Sequence, residues 1–106
     1  KLNTKKFYLI EPNKKSTSAY HILALIFKTT KLANNFREIC KYNKIAATFH
    51  YVPLHKSKMG KKFCKYRLPL TENIYNRVVR LPLYSELTKR EINKISLLLR
   101  RFVIKK

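Results

Sequence analysis

Acidic side chains, glycine and cysteine are all scarce in this chain of 106 residues, and each shortage narrows what it can do. A single glycine, Gly60, cannot supply the Gly-rich turn in which backbone N–H groups wrap a phosphate. Cys40 and Cys64 form no CxxC pair and no framework spacing. Reduced thiols and a cytoplasmic setting are therefore expected rather than a disulfide scaffold. The longest apolar run, ILALIF at 22–27, is far short of a membrane span, so no membrane association is expected. The opening KLNTKKFYLI has neither the long apolar stretch nor the small-residue cleavage site of a secretory signal. It begins at Lys1 rather than Met, which sets the expectation of a fragment.

What remains is a cationic, moderately apolar chain. The 45% hydrophobic content is ordinary for a globular protein and suits one domain with a modest core. Lys and Arg number 25 against 5 Asp and Glu, a formal charge of +20. Such a field would draw phosphates, RNA, DNA or anionic surfaces, and any nucleic-acid binding it gave is expected to be non-specific. A second origin is open. Lys, Asn, Ile and Tyr, all plentiful here, have A/T-rich codons, so mutational bias can load a solvated surface with lysine.

Hydrophobic spacing predicts the elements. Residues 1–17 read as a lead-in and loop around a short FYLI. The segment 20–28, YHILALIFK, is apolar on both faces, as a central strand would be. Thr29 and Thr30 can cap a helix over 31–42, with Leu32, Ala33, Phe36, Ile39 and Cys40 on one stripe and Asn43 as a left-handed stop. A second strand is expected over 45–52, with Ile45, Ala47, Phe49 and Tyr51 on one face and His50 on the other. A basic loop over 53–70 leads to a helix capped by Thr71 and carrying Ile74, Tyr75, Val78 and Leu81. Thr88 and Glu91 form a T-x-x-E capping box for a last helix over 88–103, striped by Ile92, Ile95, Leu98, Leu99, Phe102 and Val103. Strand, helix, strand, helix, helix is an α+β arrangement, a small sheet packed on helices.

The stretch FHYVPLHKSKMGKKF at 49–63 holds the candidate site. Zinc is a poor fit, because the H-x4-H-x8-C spacing of His50, His55 and Cys64 matches no compact module and a fourth ligand would have to come from Cys40 or His21. Cys64 among lysines lacks a neighbouring base to make it a nucleophile. Lys56, Lys58, Lys61, Lys62, Lys65 and Arg67, interleaved with Phe63 and Tyr66, have the composition of a single-strand nucleic-acid surface. No recognised nucleic-acid module accompanies them. Most such runs are solvated faces.

The order of AYHILALIFK, IAATFHYVPLHKSKMGKKF and LPLTENIYNRVVRLPLYSELTKREINKI resembles the C-terminal part of the DegT/DnrJ/EryC1/StrS sugar aminotransferases. Its most specific pieces are the H-Y-x-P-L-H loop, the R-L-P-L-Y segment at 80–84 and the start of the last helix at Leu87. The resemblance implies the small C-terminal domain of the aspartate aminotransferase fold, here 18–106, from a pyridoxal-phosphate enzyme that works as a homodimer. It implies glutamate or another amino acid as donor and a nucleotide-linked 4-keto-6-deoxy sugar as acceptor, in cell-surface polysaccharide synthesis. The family's Schiff-base lysine and phosphate residues belong to a large domain that this sequence does not match, so no cofactor is expected on this chain alone. His50, Tyr51 and His55 are the implied substrate-binding residues, with His55 the more structural of the two histidines and His21 at a core edge. Cys64 stands where the family usually has a second glycine, after Phe63. The other open class is a small basic nucleic-acid binder.

Overall fold

A computed structural model describes residues 4–13 and 15–104. Its centre is a three-stranded antiparallel sheet in the order β1 (Phe7–Leu9), β2 (Leu23–Phe27), β3 (Val78–Leu81). β2 lies in the middle, as its two-sided apolarity predicts, with Phe7 opposite Phe27 and Leu25 opposite Val79. Period two sends Leu23, Leu25 and Phe27 to one face, where they join Phe7, Val79 and Leu81. Two helices cover that face: α1 (Thr30–Tyr42) through Ala33, Phe36 and Cys40, and the C-terminal helix at Lys89–Ile104 through Ile95 and Phe102. Ala24, Ile26 and Val78 point the other way, against Tyr8, Ile22 and Ile74. The α+β class is therefore the observed one.

Phe27 is the hub of the core. Its ring lies 5.3 Å from Phe7, 5.2 Å from Phe36 and 5.9 Å from Phe102, centroid to centroid, and Phe36 and Phe102 are 5.1 Å apart. Tilted and edge-to-face contacts at these separations are the favoured ones for aromatic rings. Cys40 lies in the same core, and burial pushes its thiol up to about 11, so it behaves as a small apolar side chain.

The caps explain the helix ends. The Thr29 hydroxyl accepts from the Leu32 N–H at 3.2 Å and starts α1. At its end Asn43 is not left-handed as expected; its side-chain amide donates to the Ile39 carbonyl at 2.8 Å, and the reversal falls to Lys44 at φ 56°. At the C-terminal helix the Thr88 N–H donates to Glu91 at 2.9 Å and the Glu91 N–H donates to the Thr88 hydroxyl at 3.3 Å, which closes the capping box. Lys6 donates to the Phe102 carbonyl at 2.6 Å, a cation at the negative end of that helix. Thr88→Ala is expected to lower stability by about 0.5–2 kcal/mol, read as a shifted urea midpoint at unchanged slope. An unchanged midpoint would count against the box. Among the described residues no helix is long and apolar enough to cross a membrane.

Four expected element boundaries are also corrected. The lead-in at 1–17 contains β1, because Phe7 completes the aromatic core and Leu9 packs beside it. The 45–52 strand is absent: the chain turns where the Ala47 N–H meets the Ile45 carbonyl, and only Thr48 pairs with Arg80, through bonds of 3.0 and 2.7 Å at the outer edge of β3. The loop at 53–70 contains a 3-10 turn, Leu54–Lys56, and a short helix, α2 (Gly60–Phe63). The helix expected to reach Leu81 is α3 (Pro69–Tyr75), opened by proline in its first turn rather than by a Thr71 cap. Val78 and Leu81 keep a helical spacing from Ile74, but the β-branched pair Val78 and Val79 takes the partners offered by β2. Arg77 pins the switch, donating to the carbonyls of Asn73 at 3.2 Å and of Phe27 and Lys28 at 3.3 Å. The C-terminal helix, now α4, leaves Ile92 exposed although the stripe includes it.

Candidate substrate groove

An open groove of about 630 Å³ runs between the 50–54 segment and α3. His50, Tyr51, Val52, Pro53 and Leu54 form one wall, and Leu70, Thr71, Ile74 and Tyr75 form the other, with Val78 also lining it. Both His50 and Tyr51 line it, rather than pointing to opposite faces, because the segment is not a strand. Their rings meet edge to face at 4.8 Å. Tyr51 remains 70% exposed, with the Arg80 guanidinium 5.8 Å over its ring. Phe49 packs on Tyr75 of α3 at 6.4 Å, and Pro53 is buried. An imidazole, a phenol and a guanidinium beside an apolar trough can bind sugar hydroxyls or phosphate oxygens.

The structure does not bring His55 into the groove. Its side chain is only 7% exposed, and Nε2 lies 3.3 Å from Glu72 Oε1. Lys56 Nζ lies 3.0 Å from Glu72 Oε2, and the Leu68 N–H reaches Oε1 at 3.4 Å. The hydrogen bond from Lys56 holds the Glu72 carboxyl below its ordinary value; partial burial opposes this, and His55 and the Leu68 N–H add to it. His21, expected at a core edge, is exposed. Tyr75 in the groove wall, Arg80 over the Tyr51 ring and Glu72 against His55 are placements that spacing does not reveal. Glu72 did carry one signal, as the sole acid between Glu38 and Glu86 in a chain of +20.

The lone glycine also finds its reason here. Gly60 opens α2 directly over the 3-10 turn, where a Cβ would lie 1.6 Å from the Leu54 carbonyl oxygen and 2.6 Å from its carbon. The Ser57 hydroxyl ties the two turns, donating to the Leu54 carbonyl at 2.8 Å and accepting from the Gly60 N–H at 2.9 Å. Cys64 has φ −117° and ψ 106°, an extended conformation that needs no glycine. Beyond this compact double turn Lys58, Lys61, Lys62, Lys65 and Arg67 face solvent together with Phe63 and Tyr66.

The groove does not fit pyridoxal phosphate by itself. Among the described residues no lysine lines it to form a Schiff base, and its lining is overwhelmingly apolar rather than a cup of phosphate donors. Among the described residues no three His, Cys, Asp or Glu side chains cluster to hold a metal ion.

The sequence model of the DegT/DnrJ/EryC1/StrS aminotransferase family matches residues 2–100. Two solved structures share the fold. Helicobacter pylori PseC, an aminotransferase involved in the biosynthesis of pseudoaminic acid, superposes with a TM-score of 0.80 at 19% identity. The match covers 96% of this chain and 28% of that one. The aminotransferase TlmJ from Streptoalloteichus hindustanus gives a TM-score of 0.82 at 18% identity, covering 93% of this chain and 26% of its own. The chain thus spans about a quarter of the length of these proteins. None of the curated proteins matches the sequence. These likenesses do not favour the nucleic-acid alternative.

Proposed function

The chain belongs to the DegT/DnrJ/EryC1/StrS aminotransferase family, and from that premise we propose that it is the small C-terminal domain of a pyridoxal-phosphate-dependent sugar aminotransferase. Glutamate would supply the nitrogen, and a nucleotide-linked 4-keto-6-deoxy sugar would receive it. Within the family the H-Y-x-P-L-H and R-L-P-L-Y segments favour the enzyme that aminates dTDP-4-keto-6-deoxyglucose, on the route to enterobacterial common antigen. The carrying observation is the groove: His50 and Tyr51 stand together on one apolar wall, with Arg80 over Tyr51. That arrangement supports sugar-nucleotide binding, while the cofactor lysine and phosphate cup would come from a large domain, in a cytoplasmic homodimer.

His50→Ala tests this reading in the chain joined to the cofactor-binding part of such an enzyme. Cofactor attachment should persist, and kcat/KM for the keto sugar should fall. The loss should be about 0.5–1.5 kcal/mol for a bond to a hydroxyl and about 1.5–3 kcal/mol for one to a phosphate. His55→Ala should act through loop stability instead. Wild-type rates in a well-folded His50→Ala protein would remove His50 from the site.

A further inference from the structure

We infer that Glu72 is a positioning residue: its carboxylate clamps the 53–63 arm to α3 and so fixes the groove wall that carries His50 and Tyr51. Both walls meet at this side chain. Glu72 belongs to α3, which contributes Leu70, Thr71, Ile74 and Tyr75 to the groove. Its two oxygens take His55 at 3.3 Å and Lys56 at 3.0 Å, both in the turn that directly follows the 50–54 wall. Oε1 also accepts the Leu68 N–H at the start of α3, which orients the carboxylate from its own side. The side chains of His55 and Glu72 are 7% and 17% exposed and that of Lys56 is 40% exposed, so water screens the His55 contact less than the Lys56 one.

Nothing else in this stretch can replace the clamp. Between Glu38 and Glu86 the chain has no other acidic residue, whereas Lys56, Lys58, Lys61, Lys62, Lys65 and Arg67 crowd the arm. Remove the one anion and the mutual repulsion of these cations is left without a counter-charge in this stretch. Among the described residues the neighbouring anchors are a bridge at Thr48, ring contacts at Phe49 and Tyr51, and the buried Pro53. The groups facing the carboxylate are His55, Lys56 and the Leu68 N–H. Because the folded-state value is lowered from 4.5, the clamp is at full strength above that pH and is lost as pH falls through the lowered value.

The catalytic meaning of this positioning rests on the proposed sugar site, but the clamp can be measured without any substrate. Amide hydrogen exchange is followed in the intact protein for Glu72→Ala and, from the opposite side, for His55→Gln combined with Lys56→Met. The Ser57, Lys61 and Cys64 amides are bonded within the arm, and the Phe27 amide is bonded to Arg77 in the sheet. In both variants the arm amides should exchange at least about tenfold faster, with Phe27 unchanged. Combining all three substitutions should add little, since each side removes the same contact. A merely structural acid in α3 would instead loosen α3 or the whole domain and leave the arm amides alone, and that pattern overturns the proposal. Joined to the cofactor-binding part, Glu72→Ala should raise KM for the keto sugar more than it lowers kcat. A loosened arm with unchanged KM would keep the clamp and refute the groove as the sugar site.

Discussion

Phe27→Ala is expected to cost about 3–5 kcal/mol, the range for emptying a buried aromatic site. Phe27 is 0% exposed, and three phenylalanine rings lie against it from three different elements: Phe7 in β1, Phe36 in α1 and Phe102 in α4. Collapse cannot heal such a cavity cheaply, because its walls are a strand and two helices that would each have to shift. A domain of this size has about 5–15 kcal/mol of stability in total, so the variant should lose about a fifth of it at the least. The control is Phe63→Ala, the same chemical change at a ring that is 82% exposed in α2, where about ±0.5 kcal/mol is the usual range. Urea unfolding of both variants checks this. Equal midpoints would mean that Phe27 is not the hub.

The contrast between those two rings also marks what the sequence discloses. Elements whose local signals agree with their tertiary partners were legible: β2 from its two apolar faces, α1 from its stripe and Thr29 cap, α4 from its capping box. Reading failed where two patterns fit the same letters. Ile74, Val78 and Leu81 satisfy a helical period, yet Val78 and Val79 satisfy a strand as well, and only the free edge of β2 decides between them. In 45–52 the alternation is genuine, but the turn at Ala47 leaves Thr48 as the sole paired residue. β1 has only three residues, too few for any periodicity to register. In the candidate site, His50 and Tyr51, which the loop motif singles out together, line one groove. His55, from the same motif, could not be separated from them without knowing that Glu72, 17 residues on, captures its ring.

Gly60→Ala should unlock the arm while leaving the sheet intact, and the sign of its effect is the discriminating feature. In an ordinary helix, replacing glycine by alanine stabilises by about 0.5–1 kcal/mol, because alanine surrenders less backbone entropy. Gly60 is helical and has no positive φ, so conformation alone predicts that gain. Space predicts the reverse. The new methyl would sit 1.6 Å from the Leu54 carbonyl oxygen and 2.6 Å from its carbon, and both obstacles are backbone that no rotamer change can move. Overpacking of this kind costs about 1–3 kcal/mol when the structure can adjust, and the arm adjusts most easily by separating α2 from the 3-10 turn. That movement breaks the Ser57 bridge to Gly60 and Leu54, and it strains the neighbouring His55 and Lys56 contacts with Glu72. Trypsin is the readout, since Lys56, Lys58, Lys61 and Lys62 all lie in the arm. The variant should be cut there several-fold faster than the parent, with cleavage within α1 unchanged. An arm as resistant as the parent's, or more so, would show that the backbone has room at Gly60 and that its glycine is incidental.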